Sequence, residues 1–373
     1  MNRLRQLEQL GQSVWLDYIR RDLLIGGGLK KMIAEDGLKG LTSNPAIFEK
    51  AIAEGVEYQA ALSAEVRAGE QDPERIYERL ALDDIRMAAD LMAPVHEASG
   101  GRDGYVSLEV SPRLAHDTQA TVAEARRLWR RAERPNVMIK VPATPAGLPA
   151  VEALISDGIN VNVTLLFAVE TYREVALAYQ RGLERRASAG QALAAVASVA
   201  SFFVSRIDTR IDDMLTRKMG AAAQAQQSAL AKLRGCAAIS NAKLAYTCYR
   251  ELFDGARWGA LVAKGARPQR LLWASTSTKN PDYPDTIYVD ELIGPDTVNT
   301  MPLATLEAFR ERGRLDATLT RDVEVARARM EELARAGIAM REVTASLLDE
   351  GVRLFDEAYT RLLDAIRRAR RAA

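Results

Sequence analysis

The chain has 373 residues, 51 basic against 50 acidic side chains and a net charge of +1. So even a balance creates no field that draws the protein to nucleic acid or to an anionic membrane, and a small molecule is the expected partner. The length exceeds a typical domain yet suits one large barrel with insertions, and no short repeat or low-complexity linker points to a second domain within 1–373.

In chain order, the opening Met1-Asn-Arg-Leu-Arg-Gln-Leu lacks the apolar core of a signal peptide. Short apolar runs then alternate with long helical patterns, which predicts a parallel sheet built from strand-helix units. Candidate strands lie near 13–18, 39–43, 104–110, 136–142, 159–166, 197–204, 270–275 and 286–291. Eight such units predict a closed (α/β)8 TIM barrel. The stretch 46–100 is longer than one crossover and reads as helices inserted after the second strand, with Asp72 as a cap and Pro73 at the first helical position. The weakly polar run near 191–204 is too short and too rich in serine to span a bilayer. Cys236 and Cys248 sit in alanine-rich helical surroundings without metal-ligand spacing, which suits a reducing compartment; a cytoplasmic, non-membrane protein is expected. Beyond residue 320 the chain reads as helical to its end. Val343, Leu347, Leu348, Val352, Phe355, Tyr359, Leu362 and Ile366 make one apolar stripe there that must dock on something. The closing Arg367-Arg-Ala-Arg-Arg run suits a helix C-terminus better than an RNA contact.

The strands share one feature. In a strand, successive side chains face opposite sides. Val137, Ile139 and Val141 share one face of the fourth candidate strand, and Met138 and Lys140 the other. The same parity sets Asp17 opposite Val14 and Leu16, and Glu109 opposite Val106, Leu108 and Val110. It sets Asn162 and Thr164 opposite Val161 and Val163, and the second strand leads to Thr42 and Asn44. In a barrel these polar groups would converge at the C-terminal mouth, where burial is costly unless they satisfy one another or a ligand. An ammonium so placed loses hydration, and desolvation frees the amine as a nucleophile toward a carbonyl. Each residue also has an ordinary reading. Lys140 could snorkel to water, Asp17 or Asn44 could cap a helix, Asn162 and Thr164 could bond to neighbouring strand ends, and Glu109 could pair structurally with Lys140 or Arg113. His96 and His116 carry little catalytic signal.

The segments Leu41-Thr-Ser-Asn-Pro-Ala-Ile-Phe48, Val106-Ser-Leu-Glu-Val-Ser-Pro-Arg113, Ile139-Lys-Val-Pro-Ala-Thr144, Asn160-Val-Asn-Val-Thr-Leu-Leu-Phe167 and Ser201-Phe-Phe-Val-Ser-Arg206 resemble transaldolase. The match continues in order through Trp273-Ala-Ser-Thr-Ser-Thr-Lys-Asn280 and Thr297-Val-Asn-Thr-Met-Pro302, as in the longer bacterial members. The resemblance implies a class I aldolase barrel that transfers a dihydroxyacetone unit between sugar phosphates, with no metal and no cofactor. It makes Lys140 the Schiff-base lysine and Asp17 the base that deprotonates the hydroxyl of the leaving carbon. Glu109 becomes a proton shuttle through a water held by Thr164. Asn44 and Asn162 would hold the dihydroxyacetone hydroxyls, and Phe203 would wall the pocket. Ser201, Arg206 and Ser275 match substrate-binding positions, the last two toward phosphate. The family commonly adds an arginine two residues after that serine; here the position is Ser277, and Lys279 is the expected substitute.

Two other readings remain at this level. A fructose-6-phosphate aldolase-like enzyme would share the barrel, although that subgroup resembles a tyrosine-using site, and Glu109 and the chain length favour transfer. A non-catalytic barrel binding sugar phosphate would be signalled by loss of the lysine or aspartate, and both are present. A monomer or homodimer is expected.

Overall fold

The computed structural model describes residues 2–220 and 223–372. β-Branched and leucine side chains at alternate positions give each strand an outer face that packs on helices. The strands are β1 (Gln12–Leu16), β2 (Gly40–Leu41), β3 (Tyr105–Glu109), β4 (Val137–Pro142), β5 (Val161–Leu166), β6 (Ser198–Phe203), β7 (Arg270–Ala274) and β8 (Thr297–Met301). They run parallel in sequence order around a closed barrel, and β8 seals it by pairing with β1 from Gln12↔Thr297 to Leu16↔Met301. This is the (α/β)8 architecture that the alternation predicts.

One strand is misplaced by the sequence reading. Residues 287–290 form a short helix, Ile287–Asp290, and β8 lies further on. Apolar runs this short do not distinguish helix from strand by pattern. Here Thr286 Oγ1 donates to Asp290 at 2.8 Å and closes a helical turn, while Tyr288 reaches out to Asp208. The alternation in β5 also breaks near its end. Leu165 sits at φ +59°, the register with β6 shifts between Val163 and Leu166, and Leu165 turns to meet Gly351 of the C-terminal helix.

The barrel's N-terminal end is filled. Trp15 crosses to β2, where a Cβ on Gly40 would stand 2.5 Å from its ring, so that position must be glycine. Below it Arg270 pairs with Asp103 at 2.8 Å, and Ser13 and Trp15 also donate to that buried carboxylate. His96 packs edge-on against Tyr105 near this same end, away from the mouth. The bottom is a plug, and open space is left at the C-terminal ends of the strands.

Helices Pro45–Glu54, Gln59–Arg67 and Pro73–Ala98 occupy the insertion between β2 and β3. Asp72 caps the last by accepting from Glu74 N at 2.9 Å. The C-terminal helix Met340–Ala372 buries its apolar stripe against this insertion, with Tyr359 edge-on to Tyr77 and Tyr77 edge-on to Phe48. Of the closing basic run, Arg367 pairs with Asp364 at 2.6 Å and Arg370 donates to the Gln71 carbonyl; the Arg371 side chain lies outside the described residues.

Candidate active site

Strand register decides which side chains meet at the mouth. Glu109 on β3 is level with Lys140 on β4, and Lys140 is level with Asn162 on β5. Lys140 is 4% exposed. Its Nζ donates to the Ser43 carbonyl at 3.0 Å and stands 3.4 Å from Glu109 Oε2. Of the two ion pairs open to Glu109, that with Lys140 forms; Arg113 turns instead to Glu74 and Asp356.

A cavity of about 180 Å³ opens over the lysine. Asp17 after β1, Asn44 after β2, Lys140, and Thr164 on β5 border it from one half of the barrel. Ser201 and Phe203 on β6 and the following Arg206, with Ser275, Ser277 and Lys279 after β7, border it from the other. Neither histidine reaches it.

The electrostatics divide this space in two. On one side, burial raises the Asp17 carboxyl above the ordinary aspartate value, opposed by nearby Lys140 and by a 2.7 Å hydrogen bond from Thr42. Burial likewise pushes Glu109 up to about 7 against the pull of Lys140. On the other side, burial holds both Arg206 and Lys279 below their ordinary values, and the Arg206 charge lowers Lys279 further. Among the described residues a buried guanidinium nitrogen of Arg206 has no hydrogen-bond partner, and the Lys279 ammonium donates only to Ser277 Oγ, at 2.7 Å. Unpartnered cationic donors of this kind suit a phosphate group.

Two expected residues do not border the mouth cavity. Asn162 is held below it, donating to Ser107 at 3.0 Å and accepting from Ser201 at 2.7 Å. Glu109 lies behind Lys140 and faces a separate pocket of about 280 Å³ shared with Tyr77, Glu124 and Tyr359. Asn44 fulfils both of its readings, bordering the cavity while its side chain caps helix Pro45–Glu54 through Ile47 N at 3.0 Å.

Three contributors were not among the expected site residues. Ser43 holds the lysine through a backbone carbonyl, which no side-chain pattern encodes. Thr300 on β8 lies 2.7 Å from the Thr42 hydroxyl that bonds Asp17. The eighth candidate strand, at 286–291, stops short of it, although Thr297-Val-Asn-Thr-Met carries a signal of its own. Phe355 reaches the mouth from the C-terminal helix, so the apolar stripe ends up roofing the site.

Residues 14–366 match the sequence profile of the family described as Transaldolase/Fructose-6-phosphate aldolase. The chain is 51% identical over 366 residues to a transaldolase of Thiobacillus denitrificans, covering 98% of this chain and all of that protein. It is 48% identical to a transaldolase of Trichodesmium erythraeum, over 98% of this chain and 97% of that one. A transaldolase of Thermobifida fusca is 49% identical over 97% of both.

Proposed function

The chain belongs to the transaldolase/fructose-6-phosphate aldolase family and is an enzyme of the transaldolase type, and we propose that Lys140 is the amine through which it works. Transaldolases move a dihydroxyacetone unit from sedoheptulose 7-phosphate to glyceraldehyde 3-phosphate, giving erythrose 4-phosphate and fructose 6-phosphate. This serves the non-oxidative pentose phosphate pathway. Among the described residues no helix is long and apolar enough to cross a membrane, and both cysteines are free, which supports a cytoplasmic setting.

In our reading, Lys140 Nζ attacks the ketose carbonyl carbon and water leaves, forming an iminium. Asp17 takes the proton from the hydroxyl on the leaving carbon, the one that becomes the aldehyde. The carbon-carbon bonding pair then flows to the iminium nitrogen, releasing an aldehyde and leaving an enamine on the lysine. The acceptor aldehyde reverses these steps. Glu109 handles the protons of water loss and gain, a task suited to a carboxyl near pH 7. Among the described residues Thr164 Oγ1 is buried without a hydrogen-bond partner and Glu109 Oε2 has only its 3.4 Å ion pair with Lys140, and a water bonded to both oxygens would connect them. Asn44 would contact the dihydroxyacetone hydroxyls directly, whereas Asn162 would act from below, through Ser201. Arg206, Ser275 and Lys279 would take the phosphate.

The observation that carries this assignment is the buried Lys140 ammonium at the floor of a mouth that also holds Asp17 and an electropositive corner. Borohydride reduction in the presence of fructose 6-phosphate, followed by peptide mass spectrometry, tests it. The label is expected on Lys140, and a label on Lys243, Lys264 or Lys279 would overturn the assignment.

A further inference from the structure

A second cavity, of about 320 Å³, lies outside the barrel wall between helices Ala237–Leu252 and Val323–Arg335 and the loop that follows β7. Lys243 and Ser240 border it from the first helix, Asp322 and Arg329 from the second, and Glu291 with Arg314 from one side. Lys243 is 5% exposed, and among the described residues its ammonium donates only to the Arg321 carbonyl, at 3.0 Å. Among the described residues no carboxylate comes within 4.0 Å of it. Loss of hydration holds it below the ordinary lysine value.

Three further features point the same way. Ser240 is 1% exposed, and its Oγ has no hydrogen-bond partner among the described residues. Arg329 forms no ion pair among the described residues. The helix Val323–Arg335 begins at the cavity, and its N-cap Asp322 makes no capping bond, so the first-turn N–H groups have no side-chain acceptor. Arg314 is already neutralised by Asp290 and Glu291. Lys243 and Arg329 then face Asp322 and the negative charge left over by the Asp290 and Glu291 pair, with Glu291 acting on Lys243 more than Asp322 does. A buried serine hydroxyl, a desolvated ammonium, a guanidinium and an open helix N-terminus are donors in search of an acceptor.

We propose that this cavity is a second anion site, separate from the barrel mouth, which takes inorganic phosphate or a phosphate monoester. Its geometry also couples it to the mouth. The loop leaving β7 carries Ser277 and Lys279 into the mouth and Pro284 into this cavity, so an anion held here steadies the segment that presents Lys279.

Thermal unfolding of the full chain, titrated with inorganic phosphate and with glycerol 3-phosphate, tests the proposal; a ligand that binds the folded state raises Tm with concentration. Arg206→Ala serves as the background, to weaken binding at the mouth. Both anions are expected to raise Tm in that background, and Lys243→Met should remove most of the rise. Arg329→Glu changes a half-buried residue at the cavity edge, and it should remove the rise without altering transfer at saturating substrate. A phosphate-dependent rise that survives both cavity substitutions would overturn the site, as would no rise at all in the Arg206→Ala background. A rise with glycerol 3-phosphate alone would support the site and assign it to esters.

Discussion

Glu109 and Lys140 are level on adjacent parallel strands, and their buried charged ends stand 3.4 Å apart. The pair is fixed by register, so it does not depend on either side chain searching for the other. Burial nonetheless outweighs the lysine's attraction and lifts the Glu109 carboxyl from 4.5 to about 7.

A pH dependence follows. The folded chain holds the Glu109 proton more tightly than the unfolded chain does. Between 4.5 and about 7, stability therefore falls as pH rises, and the contribution is fully present only below the unfolded value. Glu109→Gln should flatten the slope of Tm against pH in this window. The same variant should lose the limb near neutral pH in the rate of borohydride-trappable adduct formation, which should fall on the order of 10²-fold or more. An unchanged limb would exclude Glu109 as the group that titrates.

Asp17 should act at a different step. Asp17→Ala should still form the donor adduct but cleave it slowly, so that trapped fructose 6-phosphate adduct accumulates. Thr300→Val leaves Asp17 in place but removes the hydroxyl 2.7 Å from Thr42, which itself bonds the carboxylate. One such neutral hydrogen bond is worth about 1 kcal/mol, so kcat should fall roughly fivefold with KM little changed. Equal trapping in wild type and Asp17→Ala would remove the case for separate roles.

Most of the barrel was legible because a strand's alternation records which face is buried, and Lys140, Glu109, Asp17 and Thr164 all fall on the inward parity. Alternation could not place the eighth strand. Thr-Ile-Tyr-Val-Asp at 286–290 is rich in strand-forming residues, and it is a helix because Thr286 and Asp290 bond across one turn. Nor could it say how deep Asn162 lies, since Ser107 and Ser201 draw its amide below the cavity. The docking partner of the C-terminal stripe was also unreadable. That contact is formed between residues almost three hundred positions apart, such as Tyr77 and Tyr359.

This roof yields its own expectation. A Cβ on Gly351 would stand 2.8 Å from Leu165 Cδ2, so Gly351→Ala must displace the helix or the leucine, a strain of about 1 to 3 kcal/mol. Phe355→Ala leaves the helix intact and opens the mouth to water. An enamine that meets water is protonated, and the three-carbon unit is then lost as dihydroxyacetone. Phe355→Ala should therefore raise the release of free dihydroxyacetone from fructose 6-phosphate relative to transfer, read by assaying both products with and without acceptor. An unchanged ratio would mean that Phe355 does not guard the intermediate.

The electropositive corner gives the last expectation. Arg206 stacks over the Phe203 ring with its charge centre 5.4 Å from the ring centroid, and one of its buried nitrogens has no partner. Lys279 borders the same cavity and lowers its cost of burial only by donating to Ser277. A guanidinium can grip phosphate through two parallel hydrogen bonds, whereas an ammonium contributes a point charge. Arg206→Ala should accordingly raise KM for phosphorylated substrates more than Lys279→Ala does, the latter several-fold. Dihydroxyacetone transfer from unphosphorylated ketoses should be nearly indifferent to both. Lys279→Arg is the informative control. It restores the arginine that resembling enzymes place two residues earlier, but from a different point on the loop. If position 279 faces the phosphate, the arginine variant should keep KM within about twofold of wild type, a difference of roughly 0.4 kcal/mol. Wild-type kinetics in Lys279→Ala would leave Arg206 and Ser275 to hold the phosphate without it.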